Sequence, residues 1–266
     1  TLYCAYINRV CLRAGGVRME VRELEKGVAV RRDKFIGRLR KRLAVIVPEY
    51  GQFPLIFAAV FNMTVYGGAR MIAGDWKHYN IESGLDGLIP FWPPSVAVYL
   101  GCYLFWIVNY ILIARQGKRE VYQFFSGDFF SRVVCLVCFL AFPTTNTRPA
   151  VAPEGFWNQI MIFLYRVDAA DNLFPSIHCL VSWLCFAGVR GRKDISVWYQ
   201  RLSCLLAVAV CISTVTTKQH VILDVFGGVF LAEFSFWLGK RTKLWENYGK
   251  LFNRINNRIF PEGGSA

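Results

Sequence analysis

Apolar residues gather in six stretches, near 50–67, 95–114, 129–145, 175–189, 202–217 and 220–238, parted by polar or basic connections. A straight crossing of a bilayer takes about 20 apolar residues. The pattern therefore predicts six membrane-spanning helices, with four spans as the alternative. Several stretches fall short of that length, and their missing turns are expected in helix ends that line a polar cavity, where irregular backbone is tolerated. The fold class that follows is all-α, an integral membrane bundle of six helices over residues 44–240. A basic cytoplasmic segment at 1–43 precedes it and a basic cytoplasmic tail at 241–266 follows.

Composition agrees. Of 266 residues, 55% are hydrophobic, 16% aromatic and only 18% charged, against about 25% charged in an ordinary soluble domain. A net charge of +13, from 31 Lys+Arg and 18 Asp+Glu, on a soluble chain would suggest nucleic acid. The placement of the charges argues against that partner. Lys+Arg number 12 in 1–43, four each in 115–132 and 190–201, and six in 239–266. The other connections hold only Arg70, Lys77, Arg148, Arg166 and Lys218. Positive residues stay in the cytoplasm, so six spans put both termini inside and those five groups outside. The run Arg31-Arg32-Asp33-Lys34-Phe35-Ile36-Gly37-Arg38-Leu39-Arg40-Lys41-Arg42 reads as an orientation signal against anionic lipid, with specific lipid or nucleic-acid binding as the alternative.

Nine cysteines, an odd number lying mostly in apolar runs, imply no disulfide framework. Cys135-Leu-Val-Cys138 has redox or metal spacing but reads as two small apolar core residues. Residues 1–18 read as an incomplete or non-native start, and Glu262–Ala266 as a tail foreign to the fold.

Chemistry is sought among the ionisable groups left on the outside, because such groups at membrane depth are costly and usually functional. His220 and Asp224 are spaced i, i+4, which places both on one helical face. An Asp accepting from one ring nitrogen fixes the tautomer and leaves the other nitrogen free to attack. Interhelical hydrogen bonding is the competing explanation. Pro175-Ser176-Ile177-His178 opens the fourth span, where Ser176 can cap the helix and the free N–H groups form an anion site. His178 there could donate a proton to a leaving oxygen. Arg148, after the third span, can grip phosphate oxygens bidentately, or be an exposed loop arginine. Trp76, His78 and Tyr79 in the first outer loop read as interfacial anchors, with a cover over the site as the alternative.

Taken together, Arg148-Pro149, Pro175-Ser176-Ile177-His178 and Ser213…His220…Asp224 resemble, in order and spacing, the three motifs of the type 2 phosphatidic acid phosphatase (PAP2) superfamily. The resemblance covers roughly residues 44–240. It implies a six-helix core with the site at the outer face of the cell membrane. His220 would attack phosphorus and form a phosphohistidine, with Asp224 orienting it. His178 would protonate the leaving group, while Arg148 and the N–H groups around Ser176 would hold the phosphoryl oxygens. No metal or other cofactor is implied.

Three family positions differ: the lysine seven residues before Arg148 is Ala141, the glycine of the second motif is Ile177, and the arginine of the third is Thr214. Lys218 and Arg166 are the cations available to replace the missing two. Losing one such donor typically costs about 100- to 1000-fold in rate. The bulkier second motif and Thr217-Lys218-Gln219-His220 are similar to the inositolphosphotransferase-type branch, in which an alcohol replaces water as acceptor. Asp171 and Asn172 would position that alcohol, or simply form the turn into the helix.

The expected function is a metal-independent lipid phosphate phosphatase. Transfer of a phospho-head group between lipids is one alternative and a non-catalytic lipid-phosphate-binding membrane protein another. The expected partners are a lipid phosphate substrate and membrane lipids.

Overall fold

The computed structural model describes residues 37–38 and 42–259. Most of the basic segment 1–43, the run 31–42 apart from Gly37, Arg38 and Arg42, and the tail from 260 onward lie outside the described residues. The chain divides into two units, Thr1–Glu49 and Tyr50–Ala266. The first, where described, holds short helical turns. The second is the helical bundle.

Eight helices build the described chain: α1 (Glu49–Ala73), α2 (Val96–Ala114), α3 (Lys118–Ala141), α4 (Phe156–Val167), α5 (Ile177–Val189), α6 (Val197–Thr216), α7 (Ile222–Arg241) and α8 (Leu244–Ile259). Two short strands, β1 (Tyr79–Asn80) and β2 (Thr144–Thr145), pair in parallel with Tyr79 opposite Thr144. Five helices, α1, α2 with its preceding turn, α3, α6 and α7, are long and apolar enough to cross a membrane. The protein is thus an all-α, multi-pass membrane bundle.

The sixth predicted span is α5, of only 13 residues. It packs against α2, α6 and α7, and ten of its residues are buried. A helix that is apolar all round belongs inside a protein, and there it need not match the thickness of the bilayer. Close approach depends on α7, whose Gly228, Ala232, Ser235 and Gly239 form a buried stripe of small residues. A Cβ on Gly228 would stand 2.6 Å from the carbonyl oxygen of Ser176, and one on Gly239 2.2 Å from that of Gln123. Both glycines let backbone touch backbone.

Three expectations are corrected. α3 begins at Lys118, not near 129, so the connection from α2 is short and Arg132 is not a loop charge. Arg132 is 1% exposed and ion-paired to Asp128 at 2.9 Å inside the bundle. The stretch from 146 to 174, read as outer loop, contains α4. Twelve residues are too few to cross, and α4 instead packs Met161 and Leu164 onto Val96 and Tyr99 of α2. The basic tail contains α8, an amphipathic helix whose Tyr248 and Phe252 sit among Phe57 and Phe129.

Candidate active site

A cavity of about 400 Å³ opens among α1, α2, α4, the segment 168–173, the start of α5 and the α6–α7 junction. Its walls are mostly apolar, with Met63, Leu100, Trp106, Phe163 and Val167 among them. His178 and His220 both line it.

His220 sits in a five-residue link, Thr217 to Val221, that is pinned on every side. Lys218 adopts φ 54°, which turns the chain sharply, and the N–H groups of Gln219 and His220 both donate to Thr214 O at 3.0 Å. Asn146 Nδ2 donates to Lys218 O at 2.9 Å, and Tyr165 Oη to Thr217 O at 2.6 Å. His220 Nδ1 lies 3.2 Å from Asp224 Oδ2, which also accepts from Val221 N at 2.9 Å. The pair therefore forms as expected but for a different reason. His220 precedes the helix, and Asp224, in its first turn, reaches back toward the N-terminus like a cap. Asp86, from the connection after α1, accepts from Ile222 N at 2.7 Å and completes that cap.

With Nδ1–H on Asp224, the Nε2 lone pair of His220 is the free one. Burial favours the neutral ring, yet the hydrogen bond and charge of Asp224 outweigh it and hold the His220 pKa above its ordinary value of 6.5.

His178 is the second residue of α5. Ser176 N donates to Asp224 O at 3.1 Å, which ties the start of α5 to the start of α7 and brings the imidazoles together. Their ring centroids are 5.8 Å apart. The His178 ring stacks on Tyr99 at 4.4 Å, with Trp106 and Tyr103 beside it. Tyr99 Oη donates to Asp168 Oδ2 at 3.2 Å and lies 3.4 Å from His178 Nδ1. A phenol that donates to a carboxylate can accept from an imidazole N–H, so this chain engages Nδ1 and leaves Nε2 buried and without a partner in the protein, on a ring that lines the cavity. Tyr66 Oη donates to the other oxygen of Asp168. Sequence reading missed Asp168, Tyr99 and Tyr66, since nothing local signals that residues so far apart converge.

The expected phosphate ligands do not all reach the cavity. Lys218 Nζ donates to Asp86 O at 2.8 Å and Ile89 O at 2.7 Å, and so fastens a loop. Arg166 is exposed on α4 and is not a cavity residue. Ser176 is fully buried, its Oγ accepting from Cys179 N at 3.3 Å as the α5 cap. Arg148 lies over the Tyr165 ring, 4.7 Å from its centroid, and donates to Asp168 O, Ala169 O and Gln219 Oε1.

The PAP2 superfamily model matches residues 92–238, and the chain belongs to that superfamily, whose general function is phosphatase-type. Searches of curated proteins and of solved structures returned no match.

Proposed function

We propose that this PAP2 superfamily chain is a metal-independent lipid phosphate phosphatase that works through a phosphohistidine at the outer membrane face. The observation that carries the reading is the facing pair of imidazoles, 5.8 Å apart across one cavity, with Asp224 on one of them. His220 Nε2 attacks phosphorus, Asp224 holds the tautomer and stabilises the imidazolium, and His178, acting as the imidazolium with its Nδ1–H on Tyr99 Oη, gives its Nε2 proton to the departing oxygen. Water then takes the phosphoryl group from His220, with His178 accepting its proton. The apolar walls suit a substrate whose tail stays in lipid. The outer-face assignment rests on the skew of Lys and Arg toward the termini and the even connections.

A second reading, transfer to an alcohol, draws support from the cavity's acceptors. Asp171 Oδ1 and Asn62 Oδ1 are buried without partners, and both residues line the cavity. Either oxygen would take a hydrogen bond from the hydroxyl of an acceptor lipid.

One assay tests both readings: a panel of lipid phosphomonoesters and lipid phosphodiesters in detergent, with and without an alcohol acceptor, reading free phosphate from the monoesters and new phosphodiester formed when a diester donor passes its phospho-head group to the alcohol. Hydrolysis predicts phosphate in either condition, and transfer predicts diester only with the alcohol. His220→Ala and His178→Ala should each abolish the product while the protein stays folded. Turnover at the wild-type rate by His220→Ala would remove the proposed nucleophile. Activity should survive chelator, and its loss would demand a metal.

A further inference from the structure

The phosphoryl pocket implied by the reading above lacks two cations of the family pattern, and the candidates to replace them, Lys218 and Arg166, are directed elsewhere. A different residue stands in the right place. Gln219 immediately precedes His220, lines the same cavity and is 1% exposed. Its Nε2 has no partner in the protein. Buried amide N–H groups are almost always paired, and an exception needs an explanation.

The two ends of a glutamine amide are distinguished only by their partners, and here the partner decides. A guanidinium can only donate, so the atom accepting from Arg148 is Oε1, and the NH₂ group is the end left over. The backbone cannot swing it away, because Gln219 N and its neighbours are all tied. Arg148 in turn is held through its two terminal nitrogens by Asp168 O and Ala169 O and by the Tyr165 ring; its Nε has no partner, but the residue is not among those that line the cavity, whereas Gln219 is.

We propose that Gln219 Nε2 is the phosphoryl-oxygen donor beside the nucleophile, and that Arg148 is a positioning residue acting through it. The guanidinium fixes the amide's orientation and polarises its N–H by drawing on the carbonyl end. A rigid donor aimed where charge develops is the arrangement that stabilises a phosphoryl transition state. The pocket thus substitutes a cation-backed neutral donor for a cation in direct contact.

The proposal rests on the phosphoester reading, and the probe is orthovanadate, titrated calorimetrically into the full-length protein in detergent micelles. Wild type should bind it. Gln219→Met keeps the shape and removes the donor, and Gln219→Glu keeps the Arg148 contact while setting a carboxylate toward the anion. Each should weaken binding about 10- to 100-fold, with an unchanged melting temperature. A double-mutant cycle tests the second half. Arg148→Ala should weaken binding in the wild-type background and cost almost nothing further in Gln219→Met. Arg148→Lys serves in the same cycle if the alanine variant does not fold. Wild-type affinity in both Gln219 variants would overturn the donor assignment and leave the phosphoester reading standing. Additive losses for Arg148 and Gln219 would show that the guanidinium reaches the anion itself. If wild type binds no orthovanadate, the phosphoester reading falls, and the Gln219 assignment with it.

Discussion

Two buried ionisable pairs, each spaced i, i+4, stand in this bundle and are finished in opposite ways. Within α3, Asp128 meets Arg132 at 2.9 Å. Tyr110 Oη donates to the same carboxylate at 2.6 Å, and Arg132 donates to Ser131 Oγ at 3.1 Å. Neither member lines the cavity. At the start of α7, His220 meets Asp224 at 3.2 Å, and there the imidazole opens on the cavity, opposite His178 Nε2 and beside Gln219 Nε2, both without partners. Ionisable groups deep in a membrane protein are functional candidates by default. Here depth does not separate the two cases. The α3 pair turns inward on a phenol and a hydroxyl, with Arg132 Nε buried and without a partner and away from the cavity, whereas the α7 pair stands at the cavity among the unpartnered polar atoms of residues that line it.

That contrast can be broken first at α3. Arg132→Met alone leaves Asp128 buried and unpaired, at an expected cost of about 3–5 kcal/mol. Replacing the whole set, with Asp128→Leu, Arg132→Met and Tyr110→Phe together, should recover most of it. Denaturant unfolding in micelles reads both variants. A single variant as stable as wild type would mean the pair is solvated and the contrast empty.

At α7 the larger effect is on rate. Asp224→Asn should lower turnover by up to about 10⁴-fold and also move its pH dependence. Attack needs the neutral ring, and Asp224 holds the His220 pKa above 6.5, so wild-type activity should fall as pH drops through that raised value. Without the carboxylate, burial, which favours the neutral form, is opposed only by the smaller pulls of Cys179 and Asp168, so the acid limb should shift to lower pH. A limb that stays in place would assign the titration to another group.

Gly228→Ala probes the joint between the two histidine-bearing segments. Its Cβ would press on Ser176 O, and a displacement of about 1 Å can cost on the order of 100-fold. The expected loss is in kcat more than KM, with α3 and its pair undisturbed. A Gly228→Ala protein with unchanged kcat would show that the α5–α7 spacing does not set the distance between the imidazoles. The smallest effect is reserved for Lys218→Met. As a loop fastener whose ammonium is held by Asp86 O and Ile89 O outside the cavity lining, it should change turnover by less than about threefold and lower the melting temperature slightly. A loss approaching that of a phosphoryl donor would return Lys218 to the pocket.

Much of the bundle was legible in the chain. Each of the six apolar stretches corresponds to a helix, and the His220–Asp224 spacing pointed to a contact that exists. α4 escaped because its unbroken apolar run, Ile160 to Tyr165 between Gln159 and Arg166, is far shorter than a membrane span. α8 escaped because a basic tail masked the helical recurrence of Tyr248, Leu251, Phe252 and Ile255. Arg132 was placed in a loop because a charge normally ends an apolar run, and its partner Asp128 sits one turn earlier in what read as loop.

What the sequence by itself determined was the membrane bundle, the order of its motifs and the segments that carry the two imidazoles. Hydropathy and helical period are local properties, summed over about 20 residues, and they survive whatever the rest of the chain does. What only the tertiary structure decided was which donors face the cavity. Arg148, Lys218 and Gln219 each carry a long side chain that could have reached phosphate. Carbonyls of Asp86, Ile89, Asp168 and Ala169, brought close by remote segments, claimed the Lys218 ammonium and the two terminal nitrogens of Arg148 and left the amide nitrogen of Gln219 and Arg148 Nε without partners. That competition among acceptors is non-local, because a carbonyl can compete only where folding has put it.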